Sequence, residues 1–102
     1  MIKELEKEEN LEEELNSDIV IIDFFATWCG PCKMLAPILE KYVEKNNNIK
    51  VIKIDVDNFQ SLAKQHTIMS VPTLLFYKNK NLIRKEIGFK SINEIDDIVK
   101  SL

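Results

Sequence analysis

Cys29 and Cys32 are the only cysteines among 102 residues, and they lie three positions apart in the run Trp28-Cys29-Gly30-Pro31-Cys32. Cysteines at this spacing suit either metal binding or thiol–disulfide exchange. A structural zinc needs about four ligands, whereas the two cysteines and the single His66 supply three at most. A bridge that only staples the fold is also a poor use of the pair, because closing so short a loop removes only about 2 kcal/mol of chain entropy. What the spacing favours is opening and closing: the sulfurs stay adjacent when reduced, and one can attack a mixed disulfide made by the other. The pair reads as a redox-active disulfide, with no metal or organic cofactor expected.

A carboxylate is set close by in sequence. Asp23 interrupts Ile19-Val20-Ile21-Ile22-Asp23-Phe24-Phe25-Ala26, a run that is otherwise apolar. Burying a carboxylate costs several kcal/mol or raises its pKa, so Asp23 reads as a proton-exchanging group. The alternative is a side chain that escapes to the sheet edge.

The elements that must position these groups follow from periodicity. The run 19–26 has the near-continuous apolar, β-branched character of a strand covered on both faces, so it belongs at the centre of a sheet. After the cysteines, Met34, Leu35, Ile38, Leu39, Tyr42 and Val43 recur at helical spacing. Pro37 should kink that helix, and Asn46-Asn47-Asn48 should end it. Ahead of these lie a short strand at 2–5 and an acidic helix whose apolar stripe is Leu11 and Leu15. Strands are also expected at 50–56, 73–77 and 82–89, the last two joined by the hairpin Lys78-Asn79-Lys80-Asn81, where Asn79 or Asn81 can take a positive φ. Asp57 or Asn58 can cap a short helix bearing Phe59, Leu62 and Ala63. Ser91-Ile92-Asn93-Glu94 forms a capping box for a final helix bearing Ile95, Ile98, Val99 and Leu102. This order predicts an α/β fold over residues 1–102 as one domain: a central mixed β-sheet of about five strands flanked by about four helices.

The segment Asp23-Phe24-Phe25-Ala26-Thr27-Trp28-Cys29-Gly30-Pro31-Cys32-Lys33-Met34-Leu35-Ala36-Pro37 resembles the active-site segment of the thioredoxin family, and Val71-Pro72-Thr73 is similar to its cis-proline loop. The resemblance runs from Ile2 to Leu102 and implies the thioredoxin fold. Where a strand gives way to a helix, free N–H groups and the helix dipole favour a thiolate, so Cys29 is the expected nucleophile and Cys32, less exposed, the resolving thiol. The family implies that Asp23 exchanges protons with Cys32 through water and that Lys53 lies near this aspartate. Read from the sequence alone, Lys53 can equally be a solvated strand lysine. The family also implies a cis bond before Pro72, which would otherwise be a trans proline opening its strand. Val71 would pair by its backbone with an extended substrate. Trp28, Gly30, Pro31, Val71, Gly88 and Phe89 would form an apolar rim for a protein disulfide. His66 reads as a surface residue, and Met34 and Met69 as core or rim filler. The chain departs from the commonest family pattern at Phe25, where a second tryptophan is frequent, at Thr67, where glycine is frequent, and in a hairpin without glycine.

Composition narrows the partners. The formal charge is −3, from 14 Lys plus Arg against 17 Asp plus Glu, which leaves no electrostatic footprint for nucleic acid or anionic lipid. Residues 1–18 carry net −6, read as a solvated helix face. MIKELEKEEN has no apolar h-region, and no apolar stretch approaches the roughly 18 residues of a membrane span. A soluble cytoplasmic monomer is therefore expected: a dithiol oxidoreductase that reduces protein disulfides and is regenerated by a thioredoxin reductase-type donor. Gly30-Pro31 supports the direction, because it resembles the reducing members of the family. The alternative is a non-enzymatic binding subunit that uses the same rim to hold one protein.

Overall fold

In the computed structural model, which describes residues 1–102, the chain forms β1 (Ile2–Glu4), a 3-10 turn (Glu8–Asn10), α1 (Leu11–Glu14), β2 (Ile19–Phe25), α2 (Gly30–Lys45), β3 (Ile49–Asp55), α3 (Gln60–Gln65), β4 (Thr73–Lys78), β5 (Asn81–Ile87) and α4 (Ile92–Lys100). The strands make one sheet in the order β1-β3-β2-β4-β5. β3 runs parallel to β1 and β2, while β4 runs antiparallel to β2 and β5. This is the mixed five-stranded sheet with four helices that the element order predicts.

The apolar run of β2 is explained by its place at the centre. Side chains alternate across a strand, so Val20, Ile22 and Phe24 join Ile52, Ile54, Leu75, Leu11 and Leu62 on one face. Ile21 joins Val51, Leu74, Phe76, Leu35, Leu39, Ile95 and Ile98 on the other. Asp23 shares the second face by parity and is completely buried, which excludes the sheet-edge reading. α2 runs on through Pro37 to Asn46, whose Nδ2 donates to the Tyr42 carbonyl at 2.8 Å. The Tyr42 hydroxyl donates to Asp96 at 3.0 Å and fastens α2 to α4. α4 opens with the expected capping box: the Glu94 N–H donates to Ser91 Oγ, and the Ser91 N–H donates to Glu94 Oε1.

Several local expectations are corrected. The acidic segment is one 3-10 turn and one short helix, and it is not wholly solvated: Leu11 is buried, and Glu14 pairs with Lys3 of β1 at 2.5 Å and Lys50 of β3 at 2.6 Å. Neither Asp57 nor Asn58 caps α3; Phe59 holds the N-cap without a side-chain bond, because the Asp57 carboxylate is engaged elsewhere. Met34 and Met69 are exposed, so neither fills the core. β5 stops at Ile87, since Gly88 at φ 93° turns the chain out of the strand. In the hairpin, Asn79 takes a positive φ as expected, and Lys80 beside it, which carried no such signal, does so too. His66 is half-buried, its ring 5.6 Å from that of Phe24, and burial together with Lys85 holds its pKa below the usual value.

Thr67 follows α3 at φ 55°, a left-handed conformation that crowds a β-branched side chain and that glycine adopts freely. Lys85 holds this turn, its Nζ donating to the carbonyls of His66 and Thr67. Relief of such strain is worth about 1 kcal/mol, so Thr67→Gly is expected to raise the thermal midpoint by roughly 4–8 °C. A lower midpoint in a melting experiment would show that the threonine side chain contributes more than its backbone conformation costs.

Candidate active site

The chain leaves β2 at Phe25 and enters α2 at Gly30, and Cys29 sits at the junction as the N-cap of α2. The Cys32 N–H donates to Cys29 Sγ at 3.2 Å, so the sulfur occupies the place where a capping oxygen usually meets a helix terminus. Pro31 fits this first turn, where its missing N–H has no helical partner to lose. Cys29 and Cys32 are joined as a disulfide, with Cα atoms 5.3 Å apart. Both residues are buried to the same extent, contrary to the expectation that Cys32 is the less exposed. They differ in that Cys29 Sγ is the sulfur taken up by the helix terminus, and it lies 3.6 Å from the Val71 carbonyl oxygen.

That carbonyl is presented by the loop before β4. The Val71–Pro72 bond is cis. Thr73 Oγ1 donates to the Ser70 carbonyl at 2.8 Å, and the Gly88 N–H donates to the Pro72 carbonyl at 2.8 Å. Pro72 itself is buried, so it supports Val71 and does not itself form the exposed rim. Val71 packs against the cluster of Ala26, Cys29 and Cys32. Gly30 and Pro31 lie exposed in the first turn of α2, and Phe89 is partly exposed beyond Gly88. A Cβ at Gly30 would meet nothing within 4 Å, whereas φ 93° at Gly88 favours glycine there.

Trp28 is 69% exposed, yet its ring is fixed: Nε1 donates to Asp57 Oδ2 at 2.9 Å. The Asp57 N–H in turn donates to Asp55 Oδ1 at 2.9 Å. Trp28, Val56, Ile68, Met69, Ser70 and Val71 enclose an open, mainly apolar groove of about 190 Å³. Asp57, Val56, Ile68 and Ser70 were not among the expected site residues. Asp57 carries no signal in its local sequence beyond a capping-type residue after a strand.

Asp23 is the one buried group without a partner: neither carboxylate oxygen has a hydrogen bond. Burial pushes its carboxyl up to about 6, and the Lys53 charge lowers it only in part. Lys53 is opposite Asp23 in the parallel register, and its ammonium lies 4.6 Å over the Phe25 ring. It is thus neither a freely solvated lysine nor an ion-pair partner of Asp23.

A buried carboxyl, a helix-capping sulfur in a two-residue-spaced disulfide and a cis-proline loop against that sulfur can be compared with known proteins. The family model described as Thioredoxin matches residues 2–101. The chain belongs to the thioredoxin family. It is 39% identical over 93 residues to thioredoxin of Bacillus subtilis, covering 90% of this chain and 89% of that protein. With thioredoxin of Listeria monocytogenes it shares 37% identity over 100 residues, 97% and 96% of the two chains. A mutant thioredoxin from Halobacterium salinarum superposes with a TM-score of 0.91 at 32% identity, over 98% of this chain and 88% of that one. Oxidised mitochondrial thioredoxin 3 of Saccharomyces cerevisiae gives 0.89 at 33% identity, over 99% and 95%. As a thioredoxin-family chain with its cysteines paired, the protein is a thiol–disulfide oxidoreductase, an enzyme that reduces protein disulfides.

The raised carboxyl of Asp23 makes a pH-dependent prediction. Its folded-state pKa of about 6 exceeds the ordinary 3.8, so the folded state holds the proton more tightly than the unfolded chain. Its stabilising contribution is present below about pH 4 and is lost as pH rises through about 6. The stability advantage of Asp23→Ala over wild type should therefore grow by about 2 kcal/mol between pH 4 and pH 8, read by denaturant unfolding at each pH. A constant difference would mean that Asp23 is not buried as an acid.

Proposed function

We propose that the protein is a reducing dithiol carrier in which Cys29 attacks and Cys32 resolves. The reduced Cys29 thiolate attacks one sulfur of a protein disulfide and displaces the other as a thiolate. Cys32 then attacks Cys29 Sγ, releases the reduced substrate and closes the Cys29–Cys32 bridge. The observation that carries this reading is the position of Cys29 Sγ, which receives the Cys32 N–H at the start of α2. Backbone N–H groups and the positive end of the helix stabilise negative charge at that sulfur as the attacking thiolate; in the second step Cys29 Sγ is the sulfur attacked, and the charge leaves on the substrate sulfur.

Asp23 takes the proton of Cys32 during resolution. A carboxyl that titrates near 6 is ionised at neutral pH yet basic enough to hold a proton transiently, which is what a general base at this pH requires. The groove beside Trp28 and the free backbone of Val71 receive the extended chain around the substrate disulfide, with Gly30, Pro31, Gly88 and Phe89 completing the rim. Regeneration requires a two-electron donor of the thioredoxin reductase type. The protein works as a cytoplasmic monomer and needs no bound metal or organic cofactor, since the electrons are carried in the disulfide itself. No helix of the chain is long and apolar enough to cross a membrane.

The roles of the cysteines are tested by trapping. Cys32→Ser is expected to accumulate mixed disulfides with proteins of a cell extract, because attack proceeds and release does not, while Cys29→Ser accumulates almost none. Equal trapping by both variants would overturn the assignment.

The direction of electron flow has its own test. Trp28 is the only tryptophan, and a disulfide quenches a neighbouring indole, so its fluorescence should rise on reduction. The midpoint against a dithiothreitol or glutathione couple is expected near about −270 mV, the value of reducing thioredoxins. A midpoint near about −180 mV would instead mark an isomerase.

A further inference from the structure

Phe25 occupies a position between the two halves of the chemistry. It is half-buried, packs against the cluster of Ala26, Cys29 and Cys32, and carries the Lys53 ammonium 4.6 Å above its ring. Lys53 lies opposite Asp23 in the β2–β3 register, yet no hydrogen bond or ion pair joins the two. A lysine ammonium is strongly hydrated and sits on a flexible stem, so without a hold it would spend its time in water. The ring face supplies that hold through its quadrupole.

We propose that Phe25 is a positioning residue for the proton-transfer carboxyl: its ring tethers the Lys53 ammonium on the active-site face, near enough to act on Asp23 through space and held out of contact with it. A direct ion pair would keep Asp23 ionised far below neutral pH and make it a poor base. A lysine lost to solvent would leave burial unopposed and keep Asp23 protonated at higher pH. The tether sets the carboxyl between these limits.

The other charged groups around Asp23 do not take this role. Lys53 is the only charge found to act on it. On β3, Asp55 accepts the Asp57 N–H. β4 sets Leu74 opposite Asp23. α2 turns Leu35 and Leu39 inward and Lys33 outward, and on α4 Asp96 is engaged by Tyr42 and Lys100.

The inference rests on the proton-transfer role proposed for Asp23, but its test reads the carboxyl itself. The Asp23 carboxyl carbon is titrated by carbon-13 NMR in wild type, Phe25→Leu, Phe25→Trp, Lys53→Met and the Phe25→Leu/Lys53→Met double variant. Loss of the ring should raise the midpoint, by at most the shift that removal of the Lys53 charge causes, because the ring acts on Asp23 only through that charge. Phe25→Trp, which keeps an aromatic face, should not raise it. Lys53→Met should raise it at least as far as Phe25→Leu, and the double variant no further than Lys53→Met alone. Equal shifts from Phe25→Leu with and without Lys53, or a midpoint that stays or falls, would overturn the proposal. Wild type gives a check that needs no substitution: the Lys53 ε-methylene protons should be shifted upfield by the ring current, and an unshifted signal would also overturn it. If the titrations behave as expected while Asp23→Ala leaves the rate of disulfide reduction unchanged, the positioning stands and the proton-transfer role falls.

Discussion

The structure depends on β2 being covered on both faces. A strand buried this way must be apolar at nearly every position, and it forms the rigid rod that fixes where the next residues emerge. Parallel pairing with β3 and antiparallel pairing with β4 hold it in register along its length. The junction that follows can therefore place a cysteine at the first turn of a helix without the loop wandering. Placement of the sulfur is thus inherited from hydrophobic packing well away from it.

Asp23 is the exception that the packing tolerates. An unpartnered carboxyl raised to about 6 costs about 3 kcal/mol of stability at neutral pH, against a total of about 5–15 kcal/mol for a protein of this kind. Such a fraction persists only where the surroundings cannot relax to accommodate the charge. The rod is rigid because its other side chains are apolar and interlocked, and that rigidity is what keeps Asp23 buried and short of partners. Stability and chemistry are opposed at this residue.

At the surface, the site is held by polar contacts that cross between elements. Trp28 would be a mobile exposed indole without Asp57, which ties it to the end of β3 through Asp55. Val71 would be an ordinary loop residue without the Gly88 N–H on the neighbouring Pro72 carbonyl. These bonds turn three chain segments, distant in sequence, into one groove beside the disulfide.

Much of this was legible in the sequence. Hydrophobic period gave the strands and helices, the capping box fixed the start of α4, and the cysteine spacing with Asp23 pointed to the chemistry, because each is a local pattern with a local physical cause; the part played by Val71-Pro72 was legible only through the resemblance to the family. What only the tertiary structure decided were the pairings: Asp57 serves Trp28 and not α3, Lys53 rests on the Phe25 ring and acts on Asp23 without a direct contact, Lys80 shares the hairpin turn with Asn79, and His66 rests on Phe24. A side chain with several chemically acceptable partners chooses among them by distance and burial. Those are set by how strands far apart in the chain are brought into register, and no window of sequence contains them.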